Sequence, residues 1–141
     1  MKRNIKTIAV AVITLVSTVF YAHADSKPYK ELNSKEVVMN YVGASLLGSS
    51  EYTKEMFADN FEYSNSANND KFGKKEYVNY LKSVKDLKYN STQTIEIVDQ
   101  VGSTTISKVT MDFGTFKRVD HITLIQSAEG WKINKVVTTY P

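Results

Sequence analysis

The sequence contains no cysteine among its 141 residues. This absence excludes disulfide bonds, thiolate metal sites, a cysteine nucleophile and a lipid-modified cysteine. Proline is also scarce, with 2 residues, and the chain shows no repeat or low-complexity segment. The chain must therefore fold through a hydrophobic core, and its length suits one domain that can do so without covalent cross-links.

The sequence also lacks an excess of charge once its N-terminal segment is set aside. The whole chain has 18 Lys and Arg residues against 15 Asp and Glu residues. Lys2, Arg3 and Lys6 account for the difference, and residues 1–24 contain no acidic side chain. A neutral domain gives no charge-based reason to expect a nucleic acid or an anionic membrane as partner. We expect neither.

The first 24 residues have the three parts of a secretory signal peptide in the required order. Three basic residues precede an uncharged run over 7–20, and Ala22-His23-Ala24 has the small residues that signal peptidase accepts. We therefore expect cleavage before Asp25 and export to the periplasm or the medium. The alternative is an uncleaved membrane anchor, but a spanning helix needs about 20 apolar residues and this run is shorter.

The rest of the chain divides into a lead-in and one domain. Residues 25–32 contain Pro28 and charges of both signs, which predicts a short flexible lead-in. Residues 33–141 carry the periodic hydrophobic pattern of a folded domain.

Three helices are predicted in the first half of this domain. Asn33, with Glu36 three residues later, forms a capping box, and apolar residues at helical spacing follow until Gly48. Residues 51–57 predict a short second helix. Residues 74–87 predict a third helix, because apolar side chains again recur on one face.

The second half of the domain changes to Thr, Ile and Val in alternation, which is typical of strands. Strands are predicted over 92–100, 104–113, 116–127 and 131–139, after a brief strand at 61–64. Helices followed by an antiparallel meander indicate an α+β fold, in which the helices cover one face of a curved sheet. Such an arrangement encloses a pocket.

The turn at Gly114-Thr115 predicts which side chains share a face of this sheet. In a two-residue hairpin Phe113 pairs with Phe116, and the face that carries Phe116 also carries Arg118 and Asp120. That face is the more apolar of the two, so we expect it to line the cavity.

Asp120 and His121 invite interpretation as a catalytic pair, but neighbours in a strand point to opposite faces. We assign no catalytic residue and keep both as candidates. His121 is the only histidine that remains after cleavage, and no helix has the histidine spacing of a metal site. We therefore expect neither a metal nor a cofactor.

The C-terminal half of the sequence resembles a known family. Residues 95–97, 119–125 and above all 130–136, with Trp131 after an acidic-Gly turn, resemble strands of the nuclear transport factor 2-like superfamily. Within it the chain is similar to the SnoaL-like bacterial domains described as "putative lumazine-binding". His121 and Ile122 depart from the aromatic residue and Leu that usually follow the aspartate.

The resemblance extends over essentially the whole predicted mature chain. It implies a cystatin-like cone of three N-terminal helices packed on a strongly curved antiparallel sheet, with a cavity at the open end and frequent dimerisation through the sheet. It implies no reaction, because the superfamily contains isomerases, dehydratases, polyketide cyclases and members without catalysis.

Six side chains are candidates for binding a ligand in this cavity: Tyr41, Tyr63, Met111, Arg118, Asp120 and Trp131. Tyrosine can hold an aromatic ring or polarise a carbonyl group. Arg118 and Asp120 are the candidate polar groups of an otherwise apolar pocket. The alternatives stay open: a solvated ion pair at a strand rim, and ordinary core packing for the aromatic residues.

The residues favour a domain that binds a small apolar or aromatic ligand, or a protein partner, without assigned catalysis. The alternative is a lyase or isomerase of the SnoaL or ketosteroid-isomerase type, with Asp120 as base and Tyr63 or Tyr41 as electrophilic donor. A third hypothesis is an interaction module that forms a homodimer or binds another exported protein through the outer face of the sheet. That face carries Thr110, Val119, Thr123 and Ile125.

Overall fold

The computed structural model describes residues 12–15, 27–49 and 51–141. Most of the predicted signal peptide and its cleavage site before Asp25 lie outside these ranges. Its residues 12–15 lie inside them and form the first strand, β1 (Val12–Leu15). Within the described ranges, no helix is long and apolar enough to cross a membrane.

Two α-helices and seven strands make up the described part of the chain. A 3₁₀ turn at Tyr29–Glu31 precedes the first helix. The elements after β1 are α1 (Ser34–Leu46), β2 (Phe57–Asn65), β3 (Asp70–Gly73), α2 (Lys74–Ser83), β4 (Thr92–Val101), β5 (Thr104–Asp112), β6 (Lys117–Ser127) and β7 (Gly130–Thr139).

All the described strands belong to one sheet in the order β1-β4-β5-β6-β7-β2-β3. The pairs are antiparallel except β2 with β7, which is parallel. Register shifts interrupt the β4–β5 pair between Ile97 and Asp99 and the β6–β7 pair between Thr123 and Leu124. Because an extra residue bends and twists a strand, these bulges curve the sheet around the helices. The structure is thus the predicted α+β arrangement of helices on a curved sheet.

Helix α1 fills the inside of the curved sheet. The Asn33 side chain accepts the Glu36 N–H and the Glu36 carboxylate accepts the Asn33 N–H, so the predicted capping box is confirmed. The predicted apolar face is buried along its whole length, at Val37, Val38, Tyr41, Val42, Ser45 and Leu46. The helix ends just before Gly48, where the sequence predicted a stop.

The predicted second helix over 51–57, and with it the prediction of three N-terminal helices, is wrong. Residues 51–56 form turns closed by hydrogen bonds from the N–H groups of Glu55 and Met56 to the Tyr52 carbonyl, and the chain then enters β2 at Phe57. Tyr52 has a left-handed φ of 60°. A single helical turn does not recover the cost of helix nucleation, and burial of Met56 and Phe57 draws the chain into the sheet instead.

Helix α2 is the predicted third helix, but it ends at Ser83 rather than at residue 87. Its predicted apolar face is confirmed, since Tyr77, Val78 and Leu81 are buried. The described part of the segment predicted as a flexible lead-in, 27–32, packs onto the domain, with Tyr29 and Leu32 in the core.

The connection after α1 lies directly against the segment that follows α2. Gly48 has φ +67°, and a Cβ atom there would lie 2.7 Å from the Asp86 Cα. The Leu46 carbonyl accepts the Tyr89 N–H at 2.8 Å. Glycine at position 48 therefore permits the close approach that brings Tyr89 beside the C-terminal end of α1.

The predicted hairpin at Gly114-Thr115 is confirmed. The Phe113 N–H donates to the Phe116 carbonyl at 3.0 Å, and Met111 pairs with Arg118 as the two-residue turn requires. The four predicted long strands begin and end within one residue of their predicted limits. The face that carries Asp120 is the inner one, and His121 on the opposite face is exposed.

Candidate functional site

A pocket of about 320 Å³ opens between the ends of both helices and the β5–β6 hairpin. Ser45 and Leu46 reach it from the last turn of α1, and Arg118 reaches it from β6. The remaining lining is aromatic: Tyr80, Tyr89, Phe113, Phe116 and Tyr140. We call these eight residues the mouth pocket.

The aromatic side chains of the mouth pocket are unusually exposed for such large apolar groups. Tyr80, Tyr89, Phe116 and Tyr140 are each 42 to 51% exposed. The rings of Phe113 and Phe116 stack, with centroids 4.7 Å apart and planes 15° from parallel, and Tyr140 lies 6.2 Å from Phe116. An aromatic wall that stays open to solvent is suited to hold the face of another ring.

A fully buried carboxylate lies beneath this pocket. Asp120 has no exposed surface, and both of its oxygens are occupied. Oδ1 accepts from Arg118 Nε at 2.9 Å and from the Thr138 hydroxyl at 2.6 Å. Oδ2 accepts from Arg118 Nη2 at 2.8 Å and from the Tyr41 hydroxyl at 2.6 Å. Buried charges persist when they are paired and hydrogen-bonded in this way.

The guanidinium of Arg118 faces Asp120 with one edge and the mouth pocket with the other. Nε and Nη2 bond the carboxylate, and Nη2 also lies 3.3 Å from the Tyr41 hydroxyl oxygen. A guanidinium carries five N–H groups, and within the described part of the chain no acceptor is bonded to Nη1. The side chain is 12% exposed and lines the pocket. The two N–H groups of Nη1 therefore have no partner among the described residues.

Ser45 is a second unused polar group in the same pocket. The residue is only 6% exposed, and its Oγ is buried without a hydrogen-bond partner. Buried hydroxyls are normally bonded, since an unmet one costs about 1–3 kcal/mol. Ser45 and Arg118 each bring a polar group without a protein partner to the lining of one pocket, which suits a polar group of a ligand.

The tyrosines next to Asp120 are neutral hydrogen-bond donors. Burial, with the adjacent Asp120 carboxylate, raises the pKa of Tyr41 well above its ordinary value. Burial raises the pKa of Tyr77 as well, and its hydroxyl oxygen lies 3.0 Å from that of Tyr41. At neutral pH these phenols keep their protons, so the charges of Arg118 and Asp120 balance one another.

The predicted ligand-binding residues fall into three groups. Arg118 lines the mouth pocket, and Asp120 and Tyr41 contact Arg118 from the buried side. Tyr63 is buried and stacks on Tyr77 at 4.8 Å between ring centroids, one layer further from the pocket.

Met111 and Trp131 are not among the residues that line the pocket. Met111 is fully buried opposite Arg118 in the β5–β6 pair. Trp131 lies in the core, and its carbonyl accepts a hydrogen bond from Tyr29. His121 is exposed on the outer face of the sheet. None of these three side chains lines the mouth pocket.

Sequence reasoning missed several residues of the mouth pocket. Tyr89 follows α2 in a segment without regular structure, and Tyr140 follows the last strand. Ser45 lay on the predicted buried face of α1, which gives no reason to expect an unpaired hydroxyl. Phe113 and Phe116 carried a usable signal, since the predicted hairpin already placed both on the face of Arg118.

A larger groove lies along α2, lined mainly by charged residues and separate from the mouth pocket. It measures about 740 Å³ and is lined by Lys54, Asp59, Gly73, Lys74, Lys75, Glu76, Val78, Asn79 and Lys82. Asp59 is fully exposed and pairs with Lys74 at 3.2 Å. We call it the lysine groove. Among the described residues, no group of three or more His, Asp or Glu side chains lies close enough together to hold a metal ion.

The described residues adopt a cone-shaped α+β fold of the nuclear transport factor 2-like type. Residues 30–139 match the model of a family described as "putative lumazine-binding", and the chain belongs to that family. No curated protein sequence matches the chain.

Solved structures agree on the fold. A nuclear transport factor 2-like protein of unknown function from Silicibacter pomeroyi superposes with a TM-score of 0.63 at 14% identity, over 76% of this chain and 92% of that one. A nuclear transport factor 2-like protein of unknown function from Methylobacillus flagellatus superposes with a TM-score of 0.61 at 20% identity, over 82% of this chain and 99% of that one. A "putative ketosteroid isomerase" from Parabacteroides distasonis superposes with a TM-score of 0.55 at 12% identity, over 82% of this chain and 93% of that one.

Proposed function

We propose that this domain binds a small planar aromatic molecule in the mouth pocket. The observation that carries the proposal is the set of five aromatic side chains around one opening, four of them 42 to 51% exposed. Folding would bury such side chains if they served only the core, whereas a clustered exposed patch marks a binding surface. A cavity of about 320 Å³ is at the lower end of the range for small-molecule sites and suits a ligand of one or two fused rings.

The experiment is a calorimetric titration of the domain with lumazine and with 2-acetylnaphthalene. We expect saturable one-to-one binding that Phe116→Ala weakens by about tenfold, because the exposed half of the stacked wall is lost. The matched control is Val101→Ala, which removes a side chain that is 70% exposed at the end of β4. Absence of binding for both compounds would exclude the proposal.

The alternative of a lyase or isomerase with Asp120 as base receives less support from the geometry. A general base must reach its substrate with a free lone pair, and both Asp120 oxygens already accept two hydrogen bonds each. Asp120 also has no exposed surface. Its position suits a counter-ion that orients Arg118 better than a group that takes a proton. The similarity to the Parabacteroides protein extends to the fold alone.

Export is a second part of the proposal, supported by the order of basic, apolar and small residues in 1–24. Cleavage before Asp25 would also remove β1, which pairs with the outer edge of β4. Expression of the full chain in a bacterial host, followed by intact-mass measurement, tests it. The expected product lacks 24 residues and lies outside the cytoplasm, whereas a full-length cytoplasmic product would contradict export.

A homodimer through the outer face of the sheet stays a prediction. The outer face carries Thr110, Val119, Thr123 and Ile125 on neighbouring strands, and Ile125 is 39% exposed. Light scattering of the processed domain, compared with an Ile125→Lys variant, tests it. We expect a dimer mass that the charged variant lowers, and a monomer at all concentrations would exclude the dimer.

A further inference from the structure

The charges around the mouth pocket narrow the class of ligand, if the proposed binding function holds. Arg118 is the one charged side chain in the pocket lining. It forms a salt bridge with Asp120, in which Nη2 lies 2.8 Å from Oδ2. The pair is hydrogen-bonded on both carboxylate oxygens, so the negative charge cannot move away from the guanidinium. The floor of the pocket therefore offers N–H donors without a net positive charge.

A neutral acceptor and an anion would respond differently to such a floor. A carboxylate that enters the pocket loses its hydration and meets a guanidinium already neutralised by Asp120, so the Coulomb gain is small. A carbonyl or ring nitrogen loses far less hydration and can accept the same N–H bonds. The donors suit a neutral acceptor better than a charged one.

Ser45 supplies the second half of the recognition. Ser45 lines the same pocket as Arg118, and its hydroxyl is buried without a partner. A hydroxyl can donate or accept, whereas the guanidinium can only donate. A ligand edge with an acceptor for Arg118 and a second polar atom for Ser45 would satisfy both groups.

We propose that the mouth pocket selects uncharged aromatic compounds that carry a carbonyl or ring-nitrogen acceptor on one edge, and discriminates against aromatic carboxylates. The aromatic walls hold the ring faces, and Arg118 and Ser45 bind the polar edge. Asp120 is a positioning residue, because it orients the guanidinium and cancels its charge without contacting the ligand.

The test uses three probes of the same ring and similar size: 2-acetylnaphthalene, 2-naphthoate and 2-ethylnaphthalene. Calorimetry of the processed domain at pH 7 should give the tightest binding for the ketone, by about tenfold over each of the others. Ser45→Ala should reduce the advantage of the ketone over the hydrocarbon by several fold, with little change for the hydrocarbon itself. Equal affinity for all three probes, or tighter binding of 2-naphthoate, would overturn the proposal.

Asp120→Asn gives a second and sharper readout. The amide is close to the carboxylate in shape but leaves the Arg118 charge without its counter-ion, so the preference should reverse in favour of 2-naphthoate. A folded variant that still prefers the ketone would contradict the role of Asp120. If this variant does not fold, the wild-type ranking and Ser45→Ala still decide the proposal. Failure of every probe to bind would instead exclude the binding function on which this inference rests.

Discussion

The mouth pocket and the lysine groove differ in the number of charged side chains that line them and in how deeply these are buried. The groove is more than twice as large, about 740 against 320 Å³, but it is lined by solvated lysines and by carboxylates such as the fully exposed Asp59. The mouth pocket has one charged side chain, held by a counter-ion with no exposed surface. Exposed pairs contribute little and rearrange freely, whereas buried pairs are fixed in place. Unmet polar groups, rather than volume, distinguish the candidate site.

The largest expected effect comes from removing the buried counter-ion. Asp120→Ala should lower the free energy of unfolding by about 3–5 kcal/mol, because Arg118 would remain buried without its partner. Chemical denaturation measures the loss. The matched change in the lysine groove, Asp59→Ala, should leave the unfolding curve unchanged, and similar losses for both variants would remove the contrast between the two regions.

The close backbone contact between Gly48 and Asp86 should be more sensitive to an added side chain than the backbone of the lysine groove. Gly48→Ala combines a left-handed φ of +67° with a Cβ 2.7 Å from the Asp86 Cα, so we expect a loss above about 2 kcal/mol. Gly73→Ala is the control, because Gly73 lines the groove at the start of α2 and no atom lies within 4 Å of its added Cβ. Thermal denaturation of the two variants compares them directly.

Removal of a buried hydroxyl group should lower stability more than removal of an exposed one. Tyr41→Phe removes a donor to Asp120 at 2.6 Å and should cost about 1–3 kcal/mol, because a buried carboxylate loses one of its four bonds. Tyr80→Phe removes a hydroxyl from a ring that is 43% exposed at the mouth, and no stability change is expected. If Tyr41→Phe leaves the free energy of unfolding unchanged, the buried hydrogen-bond network is not tightly coupled.

The smallest effect is expected from the unpaired serine. Ser45→Ala should be neutral or stabilise the domain by up to about 1 kcal/mol, since a buried hydroxyl without a partner is removed. Ser107→Ala is the matched control, because that serine is fully buried but donates to the Glu96 carbonyl at 3.1 Å. We expect the control to be destabilised. A loss of equal size at Ser45 would show that its hydroxyl is satisfied in solution.

Interactions between residues close together in the sequence determined most of the secondary structure and the strand register. The capping box of Asn33 and Glu36, the alternation of the last four strands and the turn at Gly114-Thr115 depend on residues close together in the chain, and each is confirmed. The inner position of Asp120 followed from the hairpin register. The family resemblance rested on these same strands, and the match over residues 30–139 confirms it.

Weak or competing local signals account for the errors. The segment at 51–57 has helical spacing over too few residues to offset nucleation, and the burial of Phe57 decided in favour of a strand. Strand β3 is only four residues long and lies in a polar stretch, so no hydrophobic alternation indicated it.

Only the tertiary structure decided the site. Ser45, Tyr89, Phe116 and Tyr140 are far apart in the chain, and they meet because α1, the segment after α2 and the last strand converge on one end of the curved sheet. Whether a polar group is satisfied also depends on every neighbour in space, so neither the saturation of Asp120 nor the unpaired hydroxyl of Ser45 can be deduced from local sequence. Residue type and register predicted that Arg118 faces inward, and packing determined which of its donors remain unused.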